Sequence, residues 1–496
     1  MPFGKIISAI KQSVRFVLNR MGYALIHLPQ EKGRQEPPVS LREASPGALH
    51  QSLAAPYVIP QQQPRTNGNG EPPDLKPSDS KDQTTPVCVG AHIFQRSSLS
   101  ELLDALEDCA RPIARCRRVL VWPFERTGAT GHLCMEPFYI KSLYGDVFDE
   151  IVVITRQRHS CHNSNTEIFD VAMADMKVAY TDDPRLLDLS SYEIGVIERG
   201  PFVFLLHSYT YISRAFFRHC LSGGKKAFFQ MTDDQEERGR QALCAIGVPN
   251  GAKWVVAHAR EPGFHPGALH DYRCTSVESY FDSIRFLVKQ GYFVLRIGDR
   301  SMKRLPELGP QVIDVPFVKN YDFKMDVFAI AHCQFMISAH SGPCMLARAF
   351  NRPCLAVNVP VTYPHIPGES DMLAWRRYYR RDKKDRVARQ LSYQDILDSQ
   401  LQFLGSDADF LKTGIEFREL SSAEVLPITR EMLRKTESSQ HIQPSKQDRF
   451  MDVNRAANDI AAADMALQKK YGDWYGCAKP GAVVSDVYCD MNPGFL

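Results

Sequence analysis

The stretch from Lys253 to Asn358 constrains this chain more than any other, because apolar runs of strand length alternate there with runs of helical period. WVVAHA, starting at Trp254, reads as a strand, and YFVLRI, QVIDV, QFMIS and PCLAVN read as four more. Between them, Thr275 to Glu278 carries the signature of a capping box and opens a helix through Lys289, while DFKMDVFAIAHC and HSGPCMLARAF supply two further helices. Strands this apolar, separated by helices, form a parallel sheet covered on both faces. The expectation is a doubly wound α/β layer whose ligands sit outside the carboxyl ends of its strands.

A chain of 496 residues with 44% hydrophobic content has material for two such cores. The first half supplies weaker evidence for the second core. Val119 to Trp122, Ile151 to Thr155 and Lys226 to Gln230 read as strands, whereas Leu186 to Tyr211 mixes apolar runs that fit strand or buried helix equally. The organisation expected is a basic helix at 1–28, a disordered Pro- and Gln-rich linker at 29–87, one Rossmann-like domain at 88–250, a second at 251–436, and a helical packing arm at 437–496.

The formal charge of +3 is too small for a chain built around nucleic acid. Thirteen cysteines, an odd number with no CxxC pair, fit a reducing compartment, and no metal site is expected from His159, Cys161 and His162 alone. Residues 1–28 carry Lys5, Lys11, Arg15 and Arg20 without an acid, and their apolar residues recur at helical spacing. That helix fits either an anionic lipid surface, placing the protein peripherally on the cytoplasmic face of a membrane, or a docking site on protein. The run RRYYRRDKKDR, from Arg376, is expected as a solvated face or a contact for anionic head groups.

Loops that follow parallel strands project into one crevice, and here they carry His258, Arg260, Arg296, Gly298, Asp299, Ser341 and Gly342. Arg260 and Arg296 could clamp a diphosphate, because a guanidinium presents its donors in a rigid fork. Ser341 and Gly342 stand where a strand gives way to a helix, so backbone amides and the positive helix end can hold a phosphate. In the first half, GATGHLCMEPFYI places Gly128, Gly131 and His132 in a similar strand-to-helix loop. His132 is the candidate general base, against the plainer reading of a capping or structural histidine.

HAR at 258–260, YRCTSVESYFDSIRFLVKQGYFVLRIGD at 272–299, HSGP and AFNRPCLAVN, in that order, resemble bacterial glycosyltransferases of the GT-B class. The Ser-Gly-Pro loop is similar to that of heptosyltransferases, and the HxR and RxGD layout to that of fucosyltransferase-like enzymes. The resemblance implies two Rossmann-like domains facing across a cleft, a nucleotide-sugar donor, a glycan or lipid-linked acceptor, and no cofactor or essential metal. By position it implies Arg260 and Arg296 as diphosphate ligands and Ser341 and Gly342 as the phosphate-facing loop. His340 departs from the small residues usual before the Ser-Gly. A noncatalytic sugar-nucleotide or glycan binder, or a membrane-tethered scaffold, is the alternative, since fold alone does not establish chemistry.

Overall fold

The computed structural model describes residues 86–89, 92–156, 166–192, 194–264, 271–361, 370–381, 388–438, 445–463 and 483–496. The expected basic helix, most of the linker, and the His159, Cys161 and His162 cluster lie outside these residues. The strands Pro86–Val89 (β1) and His92–Gln95 (β2) form an antiparallel hairpin leading into the helix Arg96–Ala110.

Val119–Pro123 (β3), Glu150–Thr155 (β4), Lys177–Tyr180 (β5), Gly195–Arg199 (β6) and Phe202–Leu206 (β7) make a five-stranded sheet in the order β5-β4-β3-β7-β6. All pairings are parallel except that of β6 with β7. The ambiguous stretch 186–211 therefore holds a short helix, Pro184–Asp188, and a hairpin turning at Gly200, where φ is +58°. A left-handed residue there suits glycine, which has no Cβ to clash.

Trp254–His258 (β8), Phe293–Arg296 (β9), Val312–Asp314 (β10), Met336–Ser338 (β11), Cys354–Val359 (β12) and Met372–Trp375 (β13) build the second sheet. Arg377–Arg381 (β14), Ala388–Gln390 (β15) and Ile415–Arg418 (β16) form a small antiparallel sheet beside it, and Val483–Val484 (β17) returns to the large one. The large sheet runs β10-β9-β8-β11-β12-β13-β17 and every pairing is parallel. Val255, Val256, Ala257, Val294, Leu295, Met336, Ile337 and Leu355 are all shut off from solvent. Covered on both faces, these strands read as unbroken apolar runs, which is why the sequence shows them so clearly.

Four expectations need correction. Lys226–Gln230 forms no strand: Phe228 and Phe229 pack on Phe138, and the Phe229 amide donates to the Ala349 carbonyl. The capping box expected across Thr275 and Glu278 does not form. Ser276 is the cap, accepting from the Glu278 amide, and one 3-10 turn precedes the helix Phe281–Lys289. The basic run supplies β14, in which Tyr378 is buried and Arg377 pairs with Glu424 at 2.5 Å, so its start is interior rather than a solvated face. The tail is not purely helical, since β17 extends the parallel sheet while Phe450, Tyr488 and Phe495 surround Trp375. The capping box at Ser421 and Glu424 does open the helix Ser422–Glu437 as expected. Among the described residues no helix is long and apolar enough to cross a membrane.

Candidate functional site

Winding from β8 outward through β9 to β10, then back to β11 on the other side of β8, the chain reverses direction between β8 and β11. At such a switch point the loops on either side diverge and leave a crevice at the carboxyl ends. His258 ends β8 and pairs in register with Ser338, which ends β11. Beyond Ser338 the helix Gly342–Ala349 begins with Ser341 as its cap. The Ser341 side chain makes no capping bond; its Oγ lies 3.0 Å from His258 Nδ1 instead. The first turn therefore lacks its usual cap bond, and since Pro343 has no amide, those of Gly342 and Cys344 are the ones it presents.

Cationic groups gather at this point. Arg260 follows β8, and its Nε is buried with no hydrogen-bond partner. Arg273 donates through Nε and Nη2 to the His340 carbonyl, at 3.3 and 3.1 Å. Burial and then the neighbouring Arg260 guanidinium hold the Arg273 pKa below its ordinary value. Among the described residues neither arginine forms an ion pair with a carboxylate. Burial, then Arg296 and Arg260, push His258 down to about 3, so its imidazole is neutral at physiological pH. Arg260 and Arg273 thus lie near enough to repel, beside a neutral imidazole whose acidic neighbour is Asp299.

Arg296 does not join that pair. It is fully buried, with Nη1 2.8 Å from Asp314 and Nη2 3.0 Å from Glu261 and 3.1 Å from the Lys303 carbonyl. The same carboxylates accept from the Lys303 and Leu305 amides. Its guanidinium braces three loops, so the sequence expectation of a second diphosphate arginine from β9 does not match where its donors point. Gly298, with φ at +142°, turns the chain sharply after β9, and its carbonyl accepts from the Tyr321 hydroxyl at 2.9 Å. That backbone conformation is one L side chains rarely adopt, which is what suits the position to glycine. Asp299 accepts from the Ser301 amide at 2.7 Å and is the acidic neighbour of His258.

The strand β3 leads through Gly128 into the helix Thr130–Tyr144, and this helix packs beside Gly342–Ala349. Their first turns touch through glycines: a Cβ on Gly342 would lie 2.9 Å from Thr130 Cβ and 3.1 Å from the Gly131 amide nitrogen. His132 is therefore one residue from the contact that joins the two helix starts. Its Nδ1 is 2.8 Å from Glu136 Oε1, and Tyr209 meets the ring edge-on at a centroid distance of 4.7 Å.

The structure thus joins His258 to Ser341, with Arg260, Arg296 and Asp299 close enough to act on the imidazole, sets Gly131, next to His132, against Gly342, and places Arg296 at the end of β9 with Gly298 and Asp299 in the loop that follows. Sequence reasoning missed Arg273 and the pairing of Glu136. Arg273 lies within the strand-following segment, but 13 residues beyond Arg260, where spacing alone cannot return it to the crevice. A cavity of about 300 Å³ adjoins this loop, lined by Tyr272, Arg376, Asp407, Phe410 and Phe417 among others.

No protein-family model matches the chain, and no curated protein sequence matches it. Among solved structures it is similar to a family 9 glycosyl transferase from Veillonella parvula, at 9% identity and a TM-score of 0.38, covering 64% of this chain and 97% of that one. It is also similar to the E. coli ADP-heptose LPS heptosyltransferase II, at 12% identity and a TM-score of 0.35, covering 65% and 100%. A dodecameric iron-containing heptosyltransferase in complex with ADP-D-beta-D-heptose gives 12% identity and a TM-score of 0.33, covering 64% and 77%. At these scores, what the site does has to be inferred from its own residues.

Proposed function

We propose that this chain is a glycosyltransferase of GT-B architecture that moves a sugar from a nucleotide-activated donor to a glycan or lipid-linked acceptor. The observation that carries this reading is that Arg273 donates to the His340 carbonyl just ahead of the helix Gly342–Ala349, with Arg260 close enough to be felt by it and neither arginine ion-paired among the described residues. Like charges held together lack a reason in stability alone, and a diphosphate supplies the missing counter-charge. Arg260, Arg273 and the first-turn amides of Gly342–Ala349 would hold it, with His258 as a neutral hydrogen-bonding partner steadied by Ser341. The open depression beside Tyr272, Arg376, Asp407, Phe410 and Phe417 would take the nucleoside.

In transfer, the same groups meet the charge that grows on the departing nucleoside diphosphate, the role a metal ion fills in other sites. His132, across the glycine contact, takes the proton of the acceptor hydroxyl. The basic segment 1–28 would hold the enzyme peripherally at anionic lipid, near a lipid-linked acceptor.

Incubating the purified chain with a panel of nucleotide sugars, with and without a chelator, tests the reading. Nucleoside diphosphate release that survives the chelator and is lost in Arg260→Ala supports it. Tight diphosphate binding with no turnover on any donor would favour a binding protein instead.

A further inference from the structure

Glu136 is 4% exposed, on a helix packed on several sides. A carboxylate at that depth is costly unless it is paired, and the partner shown for it is His132, one turn earlier on the same helix. The pair is lopsided: the Glu136 side chain is 5% exposed and the His132 side chain 32%. An ordinary pair on a helix surface would leave both ends in water. Here the carboxylate is buried while the imidazole remains partly exposed. Tyr209, from the helix Tyr209–Leu221, meets the ring at an interplanar angle of 76°, so its plane is fixed from a second element. With Nδ1 engaged by the carboxylate, Nε2 carries no hydrogen bond among the described residues and is not closed off from solvent.

We propose that Glu136 is a positioning residue that holds His132 in the tautomer protonated on Nδ1, leaving Nε2 as the atom that accepts the acceptor's proton. This rests on the reading of His132 as the base. The acceptor hydroxyl gives its proton to Nε2 as its oxygen forms a bond to the anomeric carbon. The bond from that carbon to the diphosphate oxygen breaks, and its electron pair leaves on the nucleoside diphosphate. The imidazolium formed at that moment faces the Glu136 carboxylate, which stabilises it without taking the proton, and the proton then passes to water.

Side-chain ¹⁵N spectra of the full chain labelled at histidine read the tautomer without any need for turnover, with His132→Gln identifying the signal. Wild-type protein should show Nδ1 protonated and Nε2 bare. Glu136→Gln, nearly the same shape, lets the amide donate to Nδ1 and should bring the other tautomer into the spectrum. In the same variant kcat should fall roughly tenfold or more while the Kd for nucleoside diphosphate stays put. The double variant Glu136→Gln with His132→Gln should be no slower than His132→Gln alone, because the two residues act as one unit. An unchanged tautomer in Glu136→Gln, or a changed tautomer with wild-type kcat, overturns the role of Glu136. If His132→Gln also kept full turnover, the base itself would be misassigned, a separate result from the first.

Discussion

Arg296 and Arg260 leave neighbouring strands of one sheet, and their removal should separate a structural role from a binding one. Arg296→Ala strands two carboxylates and opens a fully buried site, so it should destabilise the fold by about 3 to 5 kcal/mol, read as a lower denaturation midpoint. Arg260→Ala, which breaks no ion pair, should melt close to wild type. Asp326 provides a test with a pH sign. Burial pushes its carboxyl up to about 8, with the Tyr321 hydroxyl and Asp322 as lesser influences. Because the folded state keeps the proton between about pH 4 and 8 and the unfolded state does not, stability should fall as pH rises across that window. Asp326→Asn should therefore raise the melting temperature at pH 8, and the gain should shrink toward pH 4. A gain that does not change with pH would mean that the carboxyl is ionised in the fold.

At the scale of elements, the contact between the first turns of Thr130–Tyr144 and Gly342–Ala349 is asymmetric, and two alanine substitutions expose this. At Gly342 a Cβ would press on Thr130 and the Gly131 nitrogen, so Gly342→Ala should cost about 1 to 3 kcal/mol and lower turnover by parting the helices. At Gly131 the nearest atom is 3.7 Å away, so Gly131→Ala should be tolerated in a thermal melt. Equal melting of the two variants would contradict the contact. The same elements show what a sequence can and cannot disclose. β8, β9, β11 and β12 were legible because burial on both faces leaves an unmixed apolar run. Lys226–Gln230 has that composition too, but a strand needs a ladder partner, and Phe228 and Phe229 instead fill a space beside Phe138 and Phe350. β14 was hidden by its arginines, whose long stems and paired heads allow a charged run to lie against a core. β17, two residues long, carries no periodicity to read.

For the molecule as a whole, strand-end logic located the switch point but not the charges around it. His258, Arg260, Ser341 and Gly342 were visible as the ends of recognisable strands, and the fold brings them to the switch point between β8 and β11. The charge balance was not visible, because whether an arginine is neutralised depends on residues far away in sequence. Arg296 met Asp314 and Glu261, whereas Arg260 met Arg273. The central claim is that this pair awaits a diphosphate, and calorimetric titration of the full chain with nucleoside diphosphates tests it most directly. Each arginine lost removes charged hydrogen bonds of roughly 1.5 to 3 kcal/mol, so Arg260→Ala and Arg273→Ala should each weaken binding about tenfold or more. Lysine at either position should restore only part of it, since it keeps the charge without the fork. Wild-type affinity in both alanine variants, with their melts unchanged, would contradict the account and move the donor site away from this switch point.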